Sequence, residues 1–285
     1  MKVDSATRVY ALIGSPVEHS LSPTIHNAAF ESLGLNCVYL AFNVASDGLP
    51  SALAGLRSLG VQGFNVTIPH KTAVIPLLDE VEPEARSIGA VNTVKIMGGK
   101  TVGYNTDGEG AISALREAGV EVKGLKVVLL GAGGAARALG FTLAKTSGEL
   151  VVANRTEAKA VKLAEELSRH HSVRVKGIRL NSERLGEELR DAELLVNTTS
   201  VGMHPHEDAS PIPSRLLHSG LTVFDIVYNP LKTRLLREAD AAGAKTVNGL
   251  GMLVHQAARS FEIWTGKKAP LDVMFNAALK ALGEK

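Results

Sequence analysis

Short β-rich runs alternate with longer segments of helical periodicity along most of the chain. Residues 8–13 read as a strand, stopped by Gly14-Ser15-Pro16. Ser22 and Pro23 read as an N-cap followed by proline at the first helical position, opening a helix to about residue 33 with Gly34 as its stop. Residues 38–44 are the next predicted strand, 49–59 a helix and 63–68 a further strand. Strands alternating with helices of this length argue for βαβ units and a largely parallel sheet. Residues 91–96 and 101–104 flank Met97-Gly98-Gly99-Lys100, a hairpin turn that makes this first sheet mixed.

A second series begins after a helical segment over 110–118. Residues 126–130 are a buried strand, followed at once by Gly131-Ala132-Gly133-Gly134-Ala135-Ala136 and a helix to about 145. Residues 149–153, 194–197 and 222–226 supply three more strands, with helices over about 156–168 and 233–242. The tail carries two further helical patterns, about 251–264 and 271–282. There is no internal repeat, low-complexity stretch or long linker. The economical reading is an α/β protein of two α/β domains with a cleft between them. One holds a mixed, mostly parallel sheet; the other is a Rossmann-type dinucleotide-binding domain. A length of 285 residues suits about two domains and needs no disulfide or structural metal to bury a core.

Composition narrows the class without selecting a function. Hydrophobic residues make up 45% and charged residues 21%, as in soluble globular proteins. The net charge is +2 with no long run of either sign, so no electrostatic footprint for nucleic acid or an anionic membrane is present. The single cysteine, Cys37, excludes an internal disulfide and fits a reducing cytoplasm. No uncharged stretch approaches the ~18 apolar residues of a membrane span, and Met1-Lys2-Val3-Asp4-Ser5 lacks the apolar core of a signal peptide. The expectation is a cytoplasmic protein that stands alone rather than as part of a multi-enzyme chain.

Candidate chemistry starts at the glycine loop. The strand Val127-Val128-Leu129-Leu130 runs directly into Gly131-x-Gly133-x-x-Ala136 and a helix, the dinucleotide fingerprint in its proper setting. The first glycine permits the tight turn and the second lets a pyrophosphate approach the backbone. Unpaired N–H groups of the helix N-terminus then face the phosphates. An NAD site wants an acid at the end of the next strand, whereas a 2′-phosphate wants positive charge. Here that strand ends in Asn154-Arg155-Thr156, with Lys159 one turn on and no acid at the decisive place. Arg155 can stack on adenine and clamp phosphate, so the cofactor expected is NADP.

Four polar clusters fall at predicted strand ends or helix starts: Ser20-Leu21-Ser22-Pro23, residues 65–71, residues 90–93 and residues 104–108. In open parallel sheets ligands sit at such ends. Hydroxyls, amides and one lysine suit a polyhydroxylated, carboxylate-bearing small molecule better than an apolar one. Singly, each has a structural reading: Ser22 as an N-cap, Asn92 and Asn105 as turn formers, Thr67 as a β-branched strand residue.

With these motifs in hand the chain resembles the shikimate dehydrogenase family nearly end to end. The resemblance rests on His19-Ser20-Leu21-Ser22-Pro23 with His26-Asn27, residues 65–71, 89–93, 103–108 and 131–136. It extends through Asn154-Arg155-Thr156, Asn197-Thr198-Thr199 and residues 248–257. It implies NADPH-dependent reversible reduction of 3-dehydroshikimate to shikimate, in aromatic amino-acid biosynthesis. It further implies a discontinuous substrate domain, 1–108 plus 250–285, around an NADP-binding domain, 109–249. By that resemblance Ser20 and Ser22 hold the substrate carboxylate, while Thr67, Asn92, Gln256 and Tyr228 bind ring hydroxyls. Lys71 and Asp107, also in reach of substrate, form the catalytic pair. Gly131, Ala132, Gly133, Gly134, Ala135, Asn154, Arg155, Thr156 and Lys159 take the cofactor, with Thr198, Thr199, Ser200, Ile226 and Gly249 on the nicotinamide side.

Reducing a ketone needs a hydride at carbon and a proton at oxygen. Lys71 is the candidate proton donor with Asp107 orienting it; burial and the carboxylate push the lysine in opposite directions, so the role falls to the pair. No metal is expected: His204-Pro205-His206 has no cysteine nearby, only Glu207 and Asp208 in what reads as a solvated loop. Two other readings compete. A quinate/shikimate relative would have relaxed substrate or cofactor use, which the missing acid at Asn154 argues against. A non-catalytic NADPH sensor would have no need of Lys71 and Asp107. The partners expected are a small-molecule substrate, no nucleic acid and no membrane, with the chain a monomer or homodimer.

Overall fold

The computed structural model describes residues 3–283. In chain order the elements are β1 (Arg8–Gly14), α1 (Ser22–Ser32), β2 (Cys37–Asn43), α2 (Leu49–Ser58), β3 (Gly63–Val66), β4 (Glu80–Val81), α3 (Pro83–Ile88), β5 (Thr93–Met97) and β6 (Lys100–Tyr104). There follow α4 (Asp107–Glu117), β7 (Lys126–Leu130), α5 (Gly134–Leu143), β8 (Glu149–Asn154), α6 (Glu157–His170), β9 (Arg174–Arg179) and α7 (Ser182–Leu189). The last are β10 (Leu194–Asn197), β11 (Thr222–Asp225), α8 (Arg234–Ala241), β12 (Lys245–Val247), α9 (Leu250–Thr265) and α10 (Leu271–Ala281). They form two compact units. One runs to Asp107 and resumes at Val254; the other is Gly108–Leu253.

The first unit holds a six-stranded sheet in the order β2-β1-β3-β5-β6-β4. Strands β2, β1 and β3 are parallel, and β5 is antiparallel to both β3 and β6. The hairpin expected at residues 97–100 is present: Met97 pairs with Lys100, and Gly98 and Gly99 have φ of 57° and 78°. Positive φ at both central positions favours glycine, with Asn or Asp tolerated at the first, and Gly-Gly meets that need here. Central strand β1 is buried on both faces. Ala11 and Ile13 pack with Leu49, Leu53 and Leu56 of α2 and with Phe64. Tyr10, on the alternate face, stacks on Trp264 and meets Phe30, both rings 5.2 Å from it. Full burial of such side chains supplies about 1.5–3 kcal/mol each.

The second unit holds an all-parallel sheet in the order β12-β11-β10-β7-β8-β9. Numbered within the unit, this is the strand order of dinucleotide-binding folds, with its reversal between β7 and β10. Ligands bind outside the carboxyl ends of strands at such a reversal, so the loops after β7 and β10 are singled out by topology alone.

Several elements escape the sequence pattern for identifiable reasons. Strand β9 (RVKGIR) is a charged edge strand with only Ile178 buried, so no apolar run announces it. Strand β12 has three residues and β4 two, too short for any period. One local reading is corrected. Leu21, not Ser22, is the N-cap of α1, and no side chain caps that helix. Ser22 is the first helical residue, and its hydroxyl meets that of Ser20 instead of capping the helix. Among the described residues, no helix is long and apolar enough to cross a membrane.

Candidate active site

In the first unit, the segment after β3, the start of β5, the end of β6 and α9 bring Lys71, Asn92, Asp107 and Gln256 together; Ser20 and Ser22 form a separate pair. Lys71, five residues beyond β3, places its Nζ 2.5 Å from Oδ2 of Asp107, the first residue of α4. The two side chains are 17% and 5% exposed, so the pair is sheltered from solvent screening yet reachable at the lysine end. Behind it, Asn92 Nδ2 donates to Asp107 Oδ1 at 2.8 Å. The Asn92 amide has only one sensible orientation. Its Oδ1 accepts the Thr106 backbone N–H at 2.9 Å, which turns its NH2 toward the carboxylate. Asn105 is the turn former anticipated for it, its Oδ1 accepting the Asp107 N–H at 3.0 Å. Gln256, on α9, accepts from Asn92 Nδ2 at 3.3 Å.

This first layer rests on a buried polar layer that sequence reasoning only partly finds. Asn65 Nδ2 donates to the hydroxyls of Thr93 and Ser260 at 3.0 and 3.1 Å, while its Oδ1 accepts from the Tyr39 hydroxyl at 2.8 Å. The Thr106 hydroxyl donates to the Gln256 carbonyl at 3.0 Å. Thr93, Thr106 and Asn65 lie inside the quoted clusters, but Ser260 and Tyr39 do not. Ser260 is fully buried on a helix face otherwise lined by Ala257 and Phe261. A lone serine on the apolar stripe of α9 was the available signal. Because buried polar groups are costly unless satisfied, this layer is fixed as a unit.

Ser20 lies in the loop between β1 and α1, and Ser22 is the first residue of α1. The Ser20 hydroxyl accepts the Ser22 N–H at 3.2 Å and lies 3.2 Å from the Ser22 hydroxyl, so the two oxygens face one small region. Asn27, from the same motif, is structural: it accepts from the Tyr39 N–H at 2.8 Å and donates to the Tyr39 carbonyl at 3.0 Å. His26 stacks on Tyr39 with ring centroids 4.4 Å apart, and neither of its ring nitrogens meets a protein partner. Burial alone pushes its pKa down to about 3. Thr67 is half-buried directly after β3.

In the second unit the glycine loop is built as the motif requires. Gly131 has φ +111°, and a Cβ there would stand 2.6 Å from the Thr198 hydroxyl. Gly133 is the N-cap of α5 with no side-chain cap, and the first turn carries no acid. A Cβ on Gly133 would meet no protein atom, so open space faces the helix N-terminus beside Ala132, Gly134 and Ala135. Backbone N–H groups with room before them fit a dinucleotide pyrophosphate. At the end of β8, Asn154 donates to the Thr156 carbonyl at 3.0 Å. Arg155 and Lys159 are exposed, and neither pairs with a carboxylate among the described residues.

Thr198, Thr199 and Ser200 follow β10, next to the glycine loop; the Thr198 hydroxyl donates to the Leu130 carbonyl at 2.5 Å. Ile226 and half-buried Tyr228 follow β11. Gly249 approaches that segment so closely that a Cβ would collide with the Ile226 carbonyl. Asp225, the last residue of β11, is fully buried, and burial pushes its pKa up to about 6 against the pull of three hydrogen bonds. The histidine loop holds a local contact, His204 Nδ1 to Glu207 Oε1 at 2.8 Å. Among the described residues no group of His, Cys, Asp and Glu could hold a metal.

Three family profiles match in order: a shikimate dehydrogenase substrate binding domain over residues 12–94, shikimate/quinate 5-dehydrogenase over 113–209, and a shikimate 5′-dehydrogenase C-terminal domain over 249–279. A relative from Methanopyrus kandleri, shikimate dehydrogenase (NADP(+)), is 53% identical across 99% of this chain and 98% of its own. A solved shikimate dehydrogenase in complex with NADP+ matches with a TM-score of 0.93 at 44% identity, over 99% of this chain and 98% of that one. The Thermus thermophilus enzyme, in complex with NADP(H) and shikimate, matches with a TM-score of 0.86 at 43% identity, over 97% of this chain and all of its own.

Proposed function

We propose that this chain, which belongs to the shikimate dehydrogenase family, reduces 3-dehydroshikimate reversibly to shikimate with NADPH and passes the proton through Lys71 and Asp107. The observation that carries the proton assignment is the sheltered 2.5 Å contact of Lys71 with a carboxylate that Asn92 holds from behind. The first unit is the substrate domain and the second the NADP domain. Gly131, Gly133 and the N-terminus of α5 would hold NADPH, which would supply the hydride for the carbonyl carbon. As the ketone oxygen gains electron density, the Lys71 ammonium gives it a proton, and the Asp107 carboxylate keeps that ammonium aimed. Lys71 then regains a proton from solvent at its exposed end. In the oxidative direction neutral Lys71 takes the alcohol proton.

Ser20 and Ser22 hold the substrate carboxylate as hydroxyl donors. Thr67, Asn92, Gln256 and Tyr228 receive the ring hydroxyls, Asn92 also serving as the support of Asp107. A hydroxyl donor to a carboxylate is worth roughly 1.5–3 kcal/mol. The purified protein is therefore expected to reduce NADP with shikimate, and Ser20→Ala and Ser22→Ala each to raise the shikimate KM about tenfold or more with kcat little changed. Steady-state kinetics decide this. An unchanged KM in both variants removes the carboxylate assignment.

Arg155, with Lys159, Asn154 and Thr156 about it, receives the 2′-phosphate of NADP. Arg155→Asp is expected to weaken NADPH binding about tenfold or more, by loss of a charge-assisted contact and by repulsion. NADH binding should change little. Equal losses in fluorescence titrations of the two nucleotides would defeat the assignment. The single cysteine, Cys37, buried and unpaired, supports the reducing cytoplasm as the enzyme's compartment.

A further inference from the structure

Asp225 is a buried titratable group that the chemistry above does not use. It is fully buried, and among the described residues no cation pairs with it. A carboxylate without a cation in such a place is costly, so its presence there calls for a role. Its register partner in the parallel pair β10–β11 is Asn197, also fully buried and also the last residue of its strand. Asn197 Nδ2 donates to Asp225 Oδ1 at 2.9 Å. That bond fixes the amide, and Asn197 Oδ1 then accepts the Thr199 N–H at 3.0 Å and the Thr199 hydroxyl at 2.7 Å. Asp225 Oδ1 also accepts the Val227 N–H at 3.1 Å, and Oδ2 accepts the Thr233 hydroxyl at 2.7 Å. Thr233 is the N-cap of α8. One carboxylate thus sets the first residues of the loops after β10 and β11 and the start of a helix.

These loops carry Thr198, Thr199 and Ser200 on one side and Ile226 on the other. The first is tied onward to the glycine loop through Thr198 and Leu130. We propose that Asp225, acting through Asn197, is a positioning residue that holds the two loops in the shape that receives the nicotinamide end of the cofactor. This rests on the assignment of those loops to the cofactor. Charge-assisted bonds are about twice as strong as neutral ones, so a carboxylate fixes three donors more rigidly than an amide of the same shape.

The test is Asp225→Asn, which keeps volume and one acceptor oxygen but removes the charge. Its melting temperature is expected to equal or exceed that of the parent, because a buried charge with no cation beside it is gone. Its NADPH affinity, from fluorescence titration, is expected to fall about tenfold and kcat to fall with it, while the shikimate KM holds. Asn197→Asp, which places two carboxylates side by side, serves as the disruptive comparison and is expected to lower both stability and NADPH affinity. An Asp225→Asn protein with NADPH affinity and kcat within twofold of the parent overturns the proposal, as does a loss confined to melting temperature. Hydrogen exchange with and without NADPH separates the two layers of the argument. Absence of protection over residues 198–201 and 226–228 in the parent would remove the loop assignment itself, and the proposal with it.

Discussion

Lys71→Ala is expected to lower kcat by at least ~100-fold, the low end for removal of a general acid. The size follows from where the charge appears. Hydride addition leaves an alkoxide, and without Lys71 that oxygen must take its proton from water or leave unneutralised. Asp107 stays in place, held through one oxygen by Asn92, so the variant isolates what the lysine contributes. The variant leaves Asp107, only 5% exposed, without its cation, so some stability goes as well. Lys71→Arg separates the two effects. It keeps a positive charge beside Asp107, but a guanidinium does not give up a proton near neutral pH. It is expected to fold like the parent and to lose kcat to a similar degree. Single-turnover reduction of 3-dehydroshikimate, per folded molecule, makes the measurement. Loss of less than tenfold in both variants would move the proton donor elsewhere.

What could be read from residues alone follows from how local each signal is. The glycine loop, the Gly-Gly hairpin and the Asn154-Arg155-Thr156 strand end are each contained within a few residues, and their geometry is set there. The alternating pattern also delivers β1, β7 and β10, because strands buried on both faces are near-continuous apolar runs. Strand β9 fails that rule since its charged edge has little to bury. The polar site divides in the same way. Lys71, Asp107 and Asn92 stand in dense polar clusters and are conspicuous. Ser260 reaches Asn65 across 195 positions, and Asp225 meets Asn197 through strand register. Topology brings those pairs together, and no spacing within either segment announces it. Ser22 shows the opposite failure. Serine before proline at a helix start satisfies the local capping rule, yet Leu21 takes that position and leaves the hydroxyl facing Ser20.

His26 carries the second large effect, on stability rather than rate. Its ring is fully buried against Tyr39, Phe30 and Trp264, none of which bears charge between pH 3 and 7. Burial pushes its pKa down to about 3 from 6.5. The unfolded chain therefore binds a proton near pH 6.5 that the folded one refuses until about pH 3. Wherever the unfolded state holds more protons, stability rises with pH. The contribution is thus fully present above pH 6.5 and is lost as pH falls through the window down to about 3. It amounts to about 2 kcal/mol by pH 5 and on the order of 4–5 kcal/mol across the window. Asp225 acts in the opposite sense: raised to about 6 from 3.8, it makes the folded state the better proton acceptor between those values. The raw acid profile of the whole chain mixes the two, so the comparison must be between variants. His26→Leu carries a repacking cost that does not depend on pH, whereas the slope does. Denaturant unfolding at a series of pH values from 7.5 to 4.5 should show the parent losing stability faster than His26→Leu by about one proton per molecule. Equal slopes would mean that His26 protonates in the folded state as readily as in the unfolded chain.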